Sequence, residues 1–349
     1  MSLKIAVIGG DGIGPEVINE GVKVLQKLFE ISNIDIEFKK FDIGANHYLE
    51  TGELITDEVK KELSKYDAIY LGAVGDPRVK PGILEHGILL DIRFSFDQYI
   101  NLRPIKLLDA KYTPLKNKGP EDINMMIIRE NTEGLYVGIG GYFKKGTKDE
   151  VATQQMVNTY KGVERVIRYA YEYAERKADR NRLTLCDKSN VLTYGHDLWQ
   201  RVFKAVGDDF KSVKRDHLFV DAMAMKMVRN PEQIETVVTC NMFGDIITDL
   251  GAEIQGGMGM AVSGNVNPNG VSMFEPVHGS APDIAGQNKA NPIAAIMAGA
   301  MMIDVLGYNE EAKKIDKAIN IALNKNMTTV DMGGVLTTTE VGDYICSVL

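Results

Sequence analysis

The sequence is 349 residues long, with 44% apolar and 25% charged residues and a formal net charge of −8. Those proportions fit a soluble globular protein with chain enough for two domains and a sizeable core. The acidic balance argues against non-specific nucleic-acid binding, and no apolar run reaches the roughly 18 residues of a membrane-spanning helix. Three scattered cysteines, Cys186, Cys240 and Cys346, suit a reducing compartment. The start, Met1-Ser-Leu-Lys-Ile-Ala-Val-Ile8, enters a strand pattern without a signal-peptide core, so a cytoplasmic protein is expected.

Short β-branched runs alternate with helical patterns along the chain. Lys4–Ile8 reads as a strand, followed by a glycine turn and an amphipathic helix from about Pro15 to Phe29. Period-two alternation over Ile34–Phe41 predicts a second strand, Glu58–Lys65 a helix and Ala68–Leu71 a third strand. Further strands are expected at Asn124–Arg129, Leu183–Cys186, Leu218–Val220 and Val237–Thr239, and helices at Val163–Arg176, Asp197–Val206, Pro292–Leu306 and Glu310–Leu323. Gly256–Gly270 reads as loop and turn. This alternation predicts an α/β protein.

The turn Gly9-Gly-Asp-Gly-Ile-Gly14 sits where a dinucleotide fingerprint would, but its third glycine comes one residue early. Glu16 just beyond would oppose a pyrophosphate at the helix N-terminus. The glycines can equally shape a tight turn beneath a ligand pocket.

Arg93, Arg103 and Arg129 are the cations of interest. Arg129 closes an apolar strand run, and buried arginine demands partners. Structural ion pairs satisfy that demand, and so does a set of bidentate clamps for a small carboxylate substrate. Lys188, in Asp187-Lys-Ser-Asn190, ends another strand run. There a lowered pKa for proton transfer competes with a snorkelling surface role. Tyr136 reads either as a proton donor or as plain packing.

Asn241-Met-Phe-Gly-Asp-Ile-Ile-Thr-Asp249 is the most informative segment. Asp245 and Asp249 fall on one face of a helix, one turn apart. Like charges this close repel unless a cation separates them, and oxygen-only ligands suit Mg2+ or Mn2+. The competing reading is acidic residues favouring a helix N-terminus.

Gly-Asp-Gly-Ile-Gly-Pro-Glu, Asn-Leu-Arg-Pro, Arg-Glu-Asn-Thr-Glu-Gly-Leu-Tyr, Asp-Lys-Ser-Asn-Val-Leu, Phe-Gly-Asp-Ile-Ile-Thr-Asp-Leu and Glu-Pro-Val-His-Gly-Ser-Ala-Pro-Asp-Ile-Ala-Gly occur here in one order. Together they resemble the β-decarboxylating dehydrogenases of 2-hydroxy acids over nearly the whole chain. The resemblance implies an isopropylmalate-dehydrogenase-like fold rather than a Rossmann fold: a mixed sheet in two domains. Residues 1–100 and 254–349 would form the large nucleotide-binding domain, 101–253 an inserted smaller domain with the dimer interface, and the site would lie in the cleft. It further implies a homodimer in which Lys188 and Asp221 serve the partner's site, Asp221 completing the metal set with Asp245 and Asp249.

By the same resemblance, Lys188 takes the hydroxyl proton, Tyr136 protonates the enol, and Arg93, Arg103 and Arg129 hold the substrate carboxylates. His278, Gly279, Ser280, Ala281, Asp283 and Ile284 correspond to the adenosine loop, and Asn291 to the adenine contact. NADP-dependent relatives carry a Lys-Tyr pair where this chain has Asp283-Ile284. Asp283 can accept from ribose hydroxyls and would repel a 2′-phosphate, so NAD is expected; a turn cap after Pro282 is the plainer reading of that residue. Leu89 and Leu90, with Val191 across the dimer, could line an apolar pocket, favouring 3-isopropylmalate as substrate. Similarities around Phe96–Pro104 and Gly140–Thr147 keep tartrate or D-malate as the alternative. A catalytically silent subunit would lack a metal carboxylate, the lysine or the tyrosine, and this chain keeps all of them.

Overall fold

The computed structural model describes residues 2–349. In chain order the first elements are β1 (Leu3–Gly10), α1 (Gly14–Ser32), β2 (Ile36–Phe41), α2 (Ala45–Thr51), α3 (Asp57–Leu63), β3 (Ala68–Ala73), α4 (Asp91–Ser95), β4 (Ile100–Lys106) and β5 (Asn124–Glu130). Then come β6 (Gly140–Phe143), β7 (Val151–Gln154), α5 (Tyr160–Lys177), β8 (Arg182–Asp187), α6 (Gly195–Gly207), β9 (Lys214–Phe219), α7 (Val220–Arg229), β10 (Thr236–Thr239) and α8 (Asn241–Gln255). The chain closes with β11 (Val262–Val266), β12 (Ser272–Pro276), α9 (Ile293–Val305), α10 (Asn309–Asn324) and α11 (Thr338–Ser347). A π-helical turn, Glu85–Leu90, leads into α4.

Two compact units result. Of the described residues, the first holds 2–98, 107–120 and 252–349, the second 99–106 and 121–251. Residues 107–120 thus pack with the first unit, although the sequence reading put them in the inserted segment.

In the first unit the strand order is β2-β1-β3-β12-β11. The β1–β2, β1–β3 and β3–β12 pairs are parallel and β11–β12 is antiparallel. α1 carries Pro15 in its first turn, which fixes φ there at no hydrogen-bond cost, and buries Val17, Ile18, Leu25 and Leu28. Gly21 on α1 leaves room for the Tyr70 ring of β3, whose hydroxyl donates to the Ala295 carbonyl of α9. The helix layer is thereby pinned to the sheet.

The second unit has the order β4-β5-β10-β8-β9. β4–β5 is antiparallel, and the β5–β10, β10–β8 and β8–β9 pairs are parallel. α5 is capped by Thr159, which accepts from the Gly162 amide. The hairpin β6–β7 forms its own two-stranded sheet, and every residue of both strands is exposed. Mixed sheets in both units match the expected α/β fold class.

Three local expectations need correction. Gly256–Gly270, read as loop, contains β11. Its Ser263 and Asn265 are fully buried, with Asn265 donating to Glu275, so a satisfied polar strand showed no apolar pattern. Val220 opens α7 instead of ending a strand. Asp221, expected at a strand end, therefore lies in the first turn of α7.

Candidate active site

Parallel register brings the carboxyl ends of four strands of the second unit together. Arg129 on β5 pairs with Thr239 on β10, Thr239 also with Cys186 on β8, and Asp187 with Phe219 on β9. Arg129, Lys188, Asp221 and Asn241 lie at or just beyond these ends, where open α/β sheets generally bind ligands.

One cluster forms on α8. Asp245 and Asp249 lie past the first turn, which contains no acidic residue, so they are not N-terminal dipole partners. Arg129 is only 2% exposed. Its Nε and Nη2 donate to Asn241 Oδ1 at 3.1 and 2.7 Å, and its Nη1 reaches Asp245 Oδ1 at 2.6 Å. The Tyr136 hydroxyl donates to the other Asp245 oxygen at 2.5 Å, and the guanidinium lies 5.4 Å from the tyrosine ring centroid. Gly244 is a spatial necessity, since a Cβ there would fall 2.4 Å from Arg129 Cγ. Asp249 is exposed on the next turn. Partial desolvation and then the Asp245 charge raise its pKa, against the opposing charges of Arg103 and Arg129. Arg103 is buried and donates from Nε to Asn101 at 2.9 Å. These two carboxylates form an oxygen-only set suited to a hard divalent cation.

The second cluster lies at the ends of β8 and β9. Lys188 Nζ donates to Asp221 Oδ1 at 2.6 Å, and that hydrogen bond holds the Asp221 carboxyl below its ordinary range. The lysine backbone amide donates to His196 Nδ1 at 2.8 Å. That acceptor role requires neutral imidazole with its proton on Nε2, a buried atom without a partner. Burial correspondingly lowers the His196 pKa. Asp187, just before the lysine, is 1% exposed and accepts from Ser189, Gln200 and His217. Among the described residues no three His, Cys, Asp or Glu side chains gather closely enough to hold a metal. Within one chain, then, Asp221 pairs with Lys188 and does not join Asp245 and Asp249.

The remaining expected residues belong to the first unit, except Val191, which follows Lys188 and is 64% exposed. Leu89 and Leu90 end the π-helical turn, a feature frequent at functional sites, and Arg93 is buried on α4. Beyond β12, His278 has a buried Nε2 without a partner, and burial lowers its pKa. Gly279 is exposed and Ser280 buried. Ala281 adopts φ +38°, a strained value for a side-chain-bearing residue. Asp283 is exposed, Ile284 half-buried, and the Asn291 amide donates to Asp331 at 3.0 Å. An orphaned imidazole nitrogen, local strain and an outward carboxylate fit a segment that receives a polar ligand.

Sequence reasoning missed Asn241, His196 and Asp187 as supports. Asn241 stood inside the quoted motif, and its signal was a buried arginine needing a neutral acceptor. His196 had no sequence signal, because its partner is a backbone amide.

These features define a two-domain dehydrogenase. The sequence pattern of isocitrate/isopropylmalate dehydrogenase matches residues 4–345, and the chain belongs to that family. A 3-isopropylmalate dehydrogenase of Thermobifida fusca (strain YX) is 51% identical over 99% of this chain and 97% of its own length. One of Streptomyces coelicolor is 47% identical, covering 99% and 98%. Among solved structures, an isocitrate dehydrogenase from Methylococcus capsulatus superposes with a TM-score of 0.89 at 31% identity, covering 99% and 98%. A beta-decarboxylating dehydrogenase from Thermococcus kodakarensis gives 0.80 at 35%, covering 99% and 95%.

Proposed function

We propose that this enzyme oxidises the C2 hydroxyl of 3-isopropylmalate with NAD and releases the C3 carboxylate as CO2, giving 4-methyl-2-oxopentanoate in leucine biosynthesis. The observation that carries the reading is the α8 cluster, where a tyrosine hydroxyl, a carboxylate and a buried guanidinium meet within hydrogen-bond reach. Relatives at 46–51% identity bearing the 3-isopropylmalate name support this substrate over tartrate or D-malate.

Asp245 and Asp249 would hold Mg2+ or Mn2+, which when bound polarises the C2 oxygen and stabilises the enolate left by CO2 loss. Lys188 accepts the hydroxyl proton, with Asp221 beside it as a counter-charge. Tyr136 delivers a proton to C3. Arg93 and Arg103 hold carboxylates; Arg129 contributes mainly by fixing Asp245, since Asn241 and Asp245 already engage its fork. Leu89, Leu90 and Val191 face the isopropyl group. The 278–284 segment and Asn291 take the adenosine of NAD, with Asp283 accepting from its ribose.

A homodimer is part of the proposal, with Asp221 and Lys188 serving the partner's α8 carboxylates. Its supports are the Asp221–Lys188 pairing and exposed apolar groups close to these residues or to Asp245 along the chain: Val191, Tyr194 at 93%, Met225 at 67% and Ile246 at 58%. The exposed hairpin β6–β7 adds an unpaired surface. No helix among the described residues is long and apolar enough to cross a membrane. Three free cysteines support a cytoplasmic setting.

The test is NADH formation with Mg2+ on 3-isopropylmalate, isocitrate, tartrate and D-malate in parallel. The expected result is the highest kcat/KM on 3-isopropylmalate; a higher value on any other acid overturns the substrate.

A further inference from the structure

The glycine turn between β1 and α1 is built to grip another segment. Its base is fixed by Asp11, 6% exposed, whose carboxylate accepts from the Ala45 amide at 2.6 Å and the Gly75 amide at 2.9 Å. The Asp11 amide donates to the Ala73 carbonyl at 2.7 Å. From this base the turn reaches the segment that carries Asp283 at two places. The Ile13 amide donates to the Ser280 carbonyl at 2.8 Å. Gly12, at φ +56°, lies so close that a Cβ would fall 2.0 Å from that same oxygen.

The second place is six residues past Ser280: the Glu16 carboxylate in the first turn of α1 accepts from both the Gly286 and Asn288 amides, the latter at 3.2 Å. Asn288 is tied in turn to α11: its carbonyl accepts from the Thr338 amide, and its side chain from the Thr339 amide and hydroxyl. Residues 281–285 therefore form an arch clamped at both feet, with Asp283 near its crown and strained Ala281 on its rising side.

We infer that Glu16 is a positioning residue for the dinucleotide: it fixes the far foot of this arch and so sets where the Asp283 carboxylate stands against the ribose. This rests on the proposed role of residues 278–284 in holding NAD. It also explains an acidic residue where a phosphate-binding helix would exclude one. The carboxylate occupies the helix N-terminus favourably and spends its lone pairs on loop amides, so α1 serves the cofactor through the loop rather than by direct phosphate contact. Charge-assisted bonds to backbone amides are the stronger kind, and two converge on this one side chain.

The test compares Glu16→Ala, Glu16→Gln and Asp283→Ala with the native enzyme. It uses calorimetric dissociation constants for NAD and NADP, steady-state kinetics, thermal unfolding, and amide exchange of the 284–290 peptide without cofactor. Glu16→Ala should weaken NAD binding and raise its KM roughly tenfold, the scale of one lost charge-assisted bond. It should narrow the NAD-over-NADP preference and speed exchange at Gly286 and Asn288, with kcat and the hydroxy-acid KM changed less than about twofold. Glu16→Gln, which keeps an acceptor oxygen, should fall between. Unchanged NAD affinity and cofactor preference in a folded Glu16→Ala protein, while Asp283→Ala weakens NAD, would overturn the inference alone. If Asp283→Ala leaves NAD affinity untouched, the cofactor reading falls and takes the inference with it. Equal losses in kcat and both KM values, with no shift in cofactor preference, would reduce Glu16 to a folding residue.

Discussion

The α8 cluster and the 278–291 segment solve opposite problems. On α8, side chains hold side chains: Asn241 and Asp245 engage all three guanidinium nitrogens of Arg129, and Tyr136 donates to the other Asp245 oxygen. In the 278–291 segment, the backbone is held by a distant turn, and Asp283 is left exposed. A centre that moves protons gains from charges fixed in advance. A segment that receives a large ligand gains from fixed feet and open groups. Damage on α8 should therefore appear in kcat, and damage in the segment in cofactor affinity.

The largest break should come from Asp245→Asn. It should weaken the proposed cation site and the acceptor of Tyr136 together, so turnover should fall by more than the roughly 10²–10⁴-fold that one acid–base group is worth. Titration of activity with Mg2+ checks it, and an unchanged Mg2+ requirement would remove Asp245 from the cation site. Next, Tyr136→Phe should lower kcat within that roughly 10²–10⁴-fold range while leaving the NAD KM near its native value. A change confined to KM would make the tyrosine a packing residue.

Gly244→Ala should cost about 1–3 kcal/mol in urea unfolding by overpacking against Arg129, with a further loss of kcat as the guanidinium shifts. A fourth measurement concerns pH. Burial depresses the His196 pKa from 6.5, so the unfolded chain binds the extra proton first. Stability from this group is complete above about 6.5 and drains away as pH falls towards the depressed folded value. The urea midpoint should accordingly drop between pH 7.5 and 5.5, and drop less in His196→Phe; equal drops would contradict the neutral acceptor role. Smallest of all, Ala281→Gly relieves a left-handed strain of about 1–2 kcal/mol while giving back about 0.4–1 kcal/mol in chain entropy. Its melting temperature should stay nearly native, and a large fall would show that the segment is packed as tightly as α8.

The same contrast governs what could be read from the residues alone. Asp245 and Asp249 announced themselves because helical spacing converts sequence distance directly into proximity. Arg129 did so because an arginine closing an apolar run must find partners. β11 stayed hidden because Ser263 and Asn265 are buried polar groups, Asn265 satisfied by Glu275 of a neighbouring strand, and no local pattern records a long-range hydrogen bond. α11 carried a usable signal, the Thr337–Glu340 capping box, and was overlooked. The grip of Glu16 on residues 286 and 288 spans about 270 positions of sequence and exists only once the first unit is assembled.

The discontinuity of that unit has a cost in time. β3, whose six residues are all buried, takes β12 as a neighbour, and the ribosome makes residues 272–276 some 200 positions after residues 68–73. At synthesis rates of about 5–20 residues per second, the flank of β3 waits on the order of 10–40 s for its mate. The second unit, by contrast, is nearly contiguous and complete by residue 251. The nascent chain thus carries a half-made sheet while the second unit is already complete, and an unpaired strand flank of this kind is a general source of aggregation during folding.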